Sequence, residues 1–183
     1  MFKNDASVFT STKGSAFFNI LVKVFIFILV IYAANLSYGF LHEMGHALVI
    51  KTLGGQVYDI YVNPFGTDAY TLHSCVTGTS DTVILELAGM AVTTVLAFLT
   101  LLSGYTPLPL FIALRTSIYA LNYDPGTDIY VVHQAVGNAS LLFSFALIAL
   151  NLACAAIALT AMAKNMGYEI PIPEHIPLKQ FRQ

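Results

Sequence analysis

The stretch Val24–Leu41, VFIFILVIYAANLSYGFL, carries no charged residue and runs straight into His42-Glu43-Met44-Gly45-His46. Its length and apolar character predict a helix long enough to cross a lipid bilayer. Carried through the motif, that helix puts residues four apart on one face, so His42 and His46 can hold one metal ion. Glu43 follows the first imidazole and is placed to activate a water on that ion, the H-E-x-x-H arrangement of zinc hydrolases. The motif therefore predicts a hydrolytic centre inside an apolar helix.

The composition agrees with it. Of 183 residues, 57% are hydrophobic and only 10% charged, against about 25% charged in a globular domain. Several long apolar runs accompany that deficit, and together they predict a polytopic α-helical membrane protein, one domain over residues 1–183, with the bilayer as its surroundings. A net charge of −2 without a basic stripe argues against nucleic acid as a partner. Cys75 and Cys154 offer no disulfide framework and read as small unpaired hydrophobes. A cleaved signal peptide is not expected, because the first apolar run is too long and leads into the motif.

Around the motif helix the pattern predicts about four transmembrane segments and a small β element. Residues 1–15 read as a polar tail, and the first helix runs from Ala16 to Leu53, where Gly54-Gly55 stops it. Such a helix exceeds one bilayer, so it either projects or bends near Asn35–Gly39. Val57–Val62 and Ala69–Val76 are rich in β-branched and aromatic residues and flank Asn63-Pro64-Phe65-Gly66, which predicts a β-hairpin beside the helices. Asp81 is a candidate N-cap for a second span, Thr82–Ser103. A third, shorter segment covers Pro109–Asn122 and contains Arg115. A short amphipathic piece begins at Thr127, Gly137-Asn138 interrupts it, and Ala139–Ala163 is the last span, followed by a tail (165–183) with Pro171, Pro173 and Pro177. Lys3, Lys13 and Lys23 precede the first span and Lys164, Lys179 and Arg182 follow the last. With four crossings, both termini are expected on the cytoplasmic side.

Catalytic zinc usually takes three protein ligands, so two histidines leave one to be found. Tyr123-Asp124-Pro125-Gly126-Thr127-Asp128 sets two carboxylates beside helix-breaking residues. If the second span returns and the third crosses again, its exit brings Asp124 and Asp128 to the depth of His42 and His46. A metal would also offset the cost of placing a carboxylate there. The other polar residues are given structural roles first. His73 reads as a strand or surface histidine, and His133, five residues after Asp128, lies off its helical face. Glu86 reads as interfacial, with a hydrogen bond to a ligating histidine as the sharper alternative. Arg115 reads as paired with a carboxylate or the interface, with oxyanion stabilisation as the alternative. Asn122 and Asn138 read as turn residues.

At these positions the chain resembles the site-2 protease family of intramembrane zinc metalloproteases, particularly its short members without extra soluble domains. His42-Glu43-Met44-Gly45-His46-Ala47, followed by Gly54-Gly55 and the strand-like Val57–Pro64, is similar to the family's active-site helix running into a small sheet. Leu87-Ala88-Gly89-Met90 is similar to the small-residue motif opening the next helix, where Pro often stands at the Met90 position. Pro125-Gly126-Thr127-Asp128 resembles the later Asp-containing motif, but Ile129 stands where Gly is usual, so Asp124 stays open beside Asp128.

The resemblance implies that His42, His46 and Asp128 bind one Zn2+, with Glu43 as the catalytic base and no other cofactor. Glu43 would take a proton from the zinc-held water that attacks the scissile carbonyl and return it to the leaving amine. The implied activity is that of an intramembrane zinc metalloendopeptidase acting on membrane-spanning or membrane-proximal protein substrates. A helical substrate must unwind first, since a helix hides its carbonyls in internal hydrogen bonds. The edge of either strand could then hold it by strand addition. Two rivals are a membrane-embedded lipid or amide hydrolase using the same water, and a non-catalytic relative that binds transmembrane helices. Intact Glu43 argues against the second.

Overall fold

Apolar residues with no proline, and no glycine between Gly14 and Gly39, keep the first helix, α1 (Thr12–Thr52), unbroken across Asn35–Gly39. The structure, a computed structural model, describes residues 12–63, 65 and 68–168. Most of the expected N-terminal tail lies outside them, as do Pro64 and Gly66 of the expected turn and the prolines of the C-terminal tail. Residues 12–15, expected in the tail, are helical instead. At 41 residues, α1 is about 61 Å long, twice a ~30 Å hydrocarbon core. It stops at Gly54, which takes φ 79°. Gly54 N donates to Lys51 O (3.1 Å) and Gly55 N to Ile50 O (2.9 Å), a Schellman ending that needs a left-handed residue.

The chain then turns back as the antiparallel strands β1 (Val57–Val62) and β2 (Ala69–His73), with a bulge between Val57 and Asp59. β2 ends at His73 and not at Val76. β1 starts directly after the helix-ending glycines, so nothing stands opposite residues 75 and 76 beyond the Ser74 N to Gln56 O bond of 2.9 Å. The hairpin lies against α1. Gly39 leaves room for Val62, whose Cγ1 would be 3.1 Å from an added Cβ, and Asn35 Nδ2 donates to Phe65 O at 3.2 Å.

The second long helix, α2 (Thr79–Leu101), starts three residues earlier than its pattern predicts. Its N-cap is Gly78; Asp81 lies in the first turn, where its charge faces the positive helix end without capping it. Small residues let α1 and α2 approach closely: a Cβ on Gly45 would stand 2.7 Å from the Ala88 carbonyl oxygen. The third segment, α3 (Pro107–Tyr119), begins at its proline. With 13 residues it is about 20 Å long and falls short of a bilayer. α4 (Asp128–Val136), the 3-10 turn Gly137–Ala139 and α5 (Ser140–Asn165) complete the described chain.

Among the described residues, three stretches are long and apolar enough to cross a membrane: Phe17–Thr52, Thr79–Leu101 and Asp128–Asn165. Tyr38, Ala97, Ile112, Ala113, Cys154 and Ala155 form one buried cluster, joining α1, α2, α3 and α5. Buried hydroxyls cross the same region, Tyr38 Oη with Thr116 Oγ1 (3.2 Å) and Thr116 Oγ1 to Thr93 Oγ1 (3.1 Å). Asn151 Nδ2 ties α5 to α2 through Thr94 Oγ1 at 2.8 Å. Among the described residues the N-terminal part of α1 has no such partners; Phe17, Phe25, Ile28 and its other large apolar residues are exposed.

Candidate metal centre

Two turns of α1, one end of α2 and the start of α4 build the site. His42, Glu43 and His46 are 3%, 5% and 6% exposed. Asp128 is the first residue of α4, and the loop before it is closed by its own side chains. Thr127 Oγ1 lies 2.7 Å from Asn122 O and 2.8 Å from Asp124 O, while Asp124 N donates to Asn122 Oδ1 at 3.1 Å. This turn starts the helix where Asp128 can reach α1.

Asp128 Oδ2 stands 2.8 Å from His42 Nε2 and 3.4 Å from His46 Nε2. Potential ligand atoms of His42, His46 and Asp128 all lie within 4.8 Å of one another, and among the described residues this is the group of that kind. Asp124 is not in it, although it lines the cleft beside it. Tetrahedral ligands about 2.1 Å from a zinc ion are about 3.4 Å apart. The His46–Asp128 pair already has that spacing, the His42–Asp128 pair is shorter, and all three donors lie within 4.8 Å, so one ion needs a local adjustment of His42.

The surroundings select the donor atoms. His46 Nδ1 is 2.8 Å from the Leu85 carbonyl oxygen. A carbonyl only accepts, so Nδ1 carries a proton and Nε2, facing Asp128, is the nitrogen left to ligate. His42 is held by packing: its ring lies between Tyr38 (centroids 6.1 Å) and Tyr119 (5.2 Å), over Gly89. His42 Nδ1 is buried and has no hydrogen-bond partner among the described residues, so the two imidazoles are supported unequally.

Glu43 Oε2 accepts from Thr71 Oγ1 at 2.9 Å. Glu43, His46, Asp128 and Glu86 line one cleft, with Ala69, Thr71 and His73 of β2 along its side. Three carboxylates line it together with the imidazoles of His46 and His73, a set of groups that can hold a cation. A second opening of about 310 Å³ reaches His42, Glu43 and Asp128 past Asp124–Thr127.

The remaining polar residues sort themselves plainly. His73 Nδ1 donates to Ser74 O (2.7 Å) at the edge of the cleft. His133 meets Ser140 Oγ (3.0 Å) and Tyr123 and takes no part in the three-residue group. The Arg115 guanidinium sits 4.7 Å over the Tyr38 ring and lines a small cavity with His42 and Glu43. Asn122 closes the turn before Asp128, and Asn138 lies in the 3-10 turn. Sequence reasoning missed Leu85 O, a backbone atom that no residue type announces, and Thr71. Gly89 was singled out within its motif without its reason, the imidazole lying on it.

Compared with known proteins, the chain matches no family model, no curated protein and no solved structure.

Proposed function

We propose that this chain is a multi-pass integral membrane protein and a zinc-dependent endopeptidase of the site-2 protease kind, hydrolysing peptide bonds in membrane-spanning or membrane-proximal protein segments. The observation that carries the reading is the convergence of His42, His46 and Asp128 within 4.8 Å, with buried Glu43 in the same polar cleft. Two imidazoles and one carboxylate leave a position open and suit zinc. When bound, the ion supplies a Lewis acid that polarises a carbonyl and acidifies water. Glu43 then accepts the proton of the attacking water and delivers it to the departing amine. His46 is kept in the ligating tautomer by Leu85 O, and Tyr38, Tyr119 and Gly89 hold the His42 ring.

The helix directions agree with a four-pass arrangement in which α3, although shorter than a hydrocarbon core, serves as the third crossing. α2 leaves the site at Leu85 and Gly89, α3 returns to it with Tyr119 against His42, and α5 leaves again past Leu147 and Ile148, which pack near Met90. Lys23 and Lys164 then lie on the same side, each about 25–30 Å along its helix from the depth of the site, close to one hydrocarbon thickness. On this reading the metal lies near one interface and both described ends near the other, the side that the positive-inside rule assigns to the cytoplasm.

The cleft also contains a way to hold an unwound substrate. Asn63 N donates to Asp68 O and Ser74 N to Gln56 O. By the alternation of an antiparallel ladder, the amides and carbonyls of Ala69, Thr71 and His73 point away from β1. Those three residues line the cleft, so β2 is the edge to which a substrate strand adds.

The test is cleavage of single-span peptides by the detergent-solubilised protein, run beside lipid hydrolysis in vesicles of the same composition. Peptide cleavage that stops with Glu43→Gln or a chelator supports the reading. Lipid hydrolysis alone, or peptide cleavage indifferent to Glu43, overturns it.

A further inference from the structure

Thr71 stands in the middle of β2, with its hydroxyl 2.9 Å from Glu43 Oε2 and 3.1 Å from the Glu43 carbonyl oxygen. A hydroxyl has one proton and donates to one of these at a time. The buried carboxylate is the stronger acceptor, because a charged partner shortens and strengthens the bond. Glu43 has three side-chain torsions, and α1 alone does not select among their rotamers. The bond from the strand does select. It holds the carboxylate on the side of α1 where His46 and Asp128 share its cleft.

We propose that Thr71 is the positioning residue for the general base, so that the hairpin, through this one hydroxyl, aims the Glu43 carboxylate at the attacking water. The assignment rests on the endopeptidase reading above and adds to it a link between substrate capture and chemistry. The same residue turns its amide and carbonyl to the open edge of β2. A substrate strand paired at Thr71 is therefore placed in fixed relation to the base that activates the water. Losing the hydroxyl leaves the edge intact and frees the carboxylate, so turnover suffers and capture does not.

The experiment compares wild type, Thr71→Val and Thr71→Ser on the single-span peptide that wild type cuts best, with kcat and KM determined separately and zinc content and thermal stability measured alongside. Thr71→Val is isosteric and is expected to lower kcat about tenfold, with KM and zinc unchanged. Thr71→Ser restores the hydroxyl and most of the rate. In the Glu43→Gln background, where no turnover competes, affinity for the same labelled peptide should not depend on whether residue 71 is Thr or Val. A Thr71→Val kcat within about twofold of wild type overturns the assignment. So does a serine variant as slow as the valine one, or a valine variant that loses zinc or peptide affinity, which would make Thr71 a prop of the hairpin only. A wild-type protein that cuts no membrane peptide fails differently: it overturns the endopeptidase reading and this assignment with it.

Discussion

Gly89 supports the imidazole of His42 so closely that a Cβ at that position would stand 2.6 Å from Nε2. Alanine is ordinarily the better helix residue by about 1 kcal/mol, yet here it would drive the ring from its place between Tyr38 and Tyr119. Gly89→Ala should lower zinc affinity about 10–100-fold, as loss of a ligand's support typically does. Competition titration against a chromophoric chelator reads this directly. Unchanged affinity would mean that His42 does not ligate from the observed position.

Gly45 occupies the matching position on α1, within the motif itself. An added Cβ would meet the Ala88 carbonyl oxygen at 2.7 Å and the Gly89 Cα at 2.9 Å. Both are backbone atoms that no rotamer change can move, so Gly45→Ala must push α1 and α2 apart. The expected cost is about 1–3 kcal/mol, seen as a lower unfolding temperature in detergent. An equally stable variant would show that the two helices are not held at this distance.

The edge of β2 makes a position-specific prediction. Proline at Ala69 or His73 removes an amide that faces the cleft and not β1, so the hairpin survives while a paired substrate loses a donor. Proline at Tyr70 removes an amide that pairs with β1 and should unfold the hairpin. Peptide cleavage impaired in all three, with the fold retained in the first two by circular dichroism, is the expected pattern. Indifference at Ala69 and His73 would refute strand addition at this edge.

Some of this was legible in the sequence for physical reasons. The unbroken apolar run before His42 and the glycines after Leu53 mark α1, because length, missing charge and a left-handed stop are all local properties. The carboxylate-bearing loop was legible as well, since Asp-Pro-Gly cannot continue a helix. Which aspartate faces the histidines was not. It depends on Thr127 bonding back to Asn122 and Asp124, which decides where α4 begins. The third segment was read as Pro109–Asn122, two residues late at its start and three at its end; Ala120 and Leu121 are apolar, but the helix has ended at Tyr119 and the turn toward Asn122 has begun. β2 was read too long because a strand's length is set by its partner, and β1 begins only at Val57, just past the helix stop. The support of His46 comes from a carbonyl oxygen, on which residue type is silent.

The central claim is that His42, His46 and Asp128 hold one zinc ion. Its most direct test is the metal content of the purified, detergent-solubilised protein for wild type, His46→Ala, Asp128→Ala and Asp124→Ala. About one zinc per chain is expected in wild type and in Asp124→Ala, with loss in the other two. No zinc in wild type after it is supplied, or zinc that departs with Asp124 and stays without Asp128, would contradict the account.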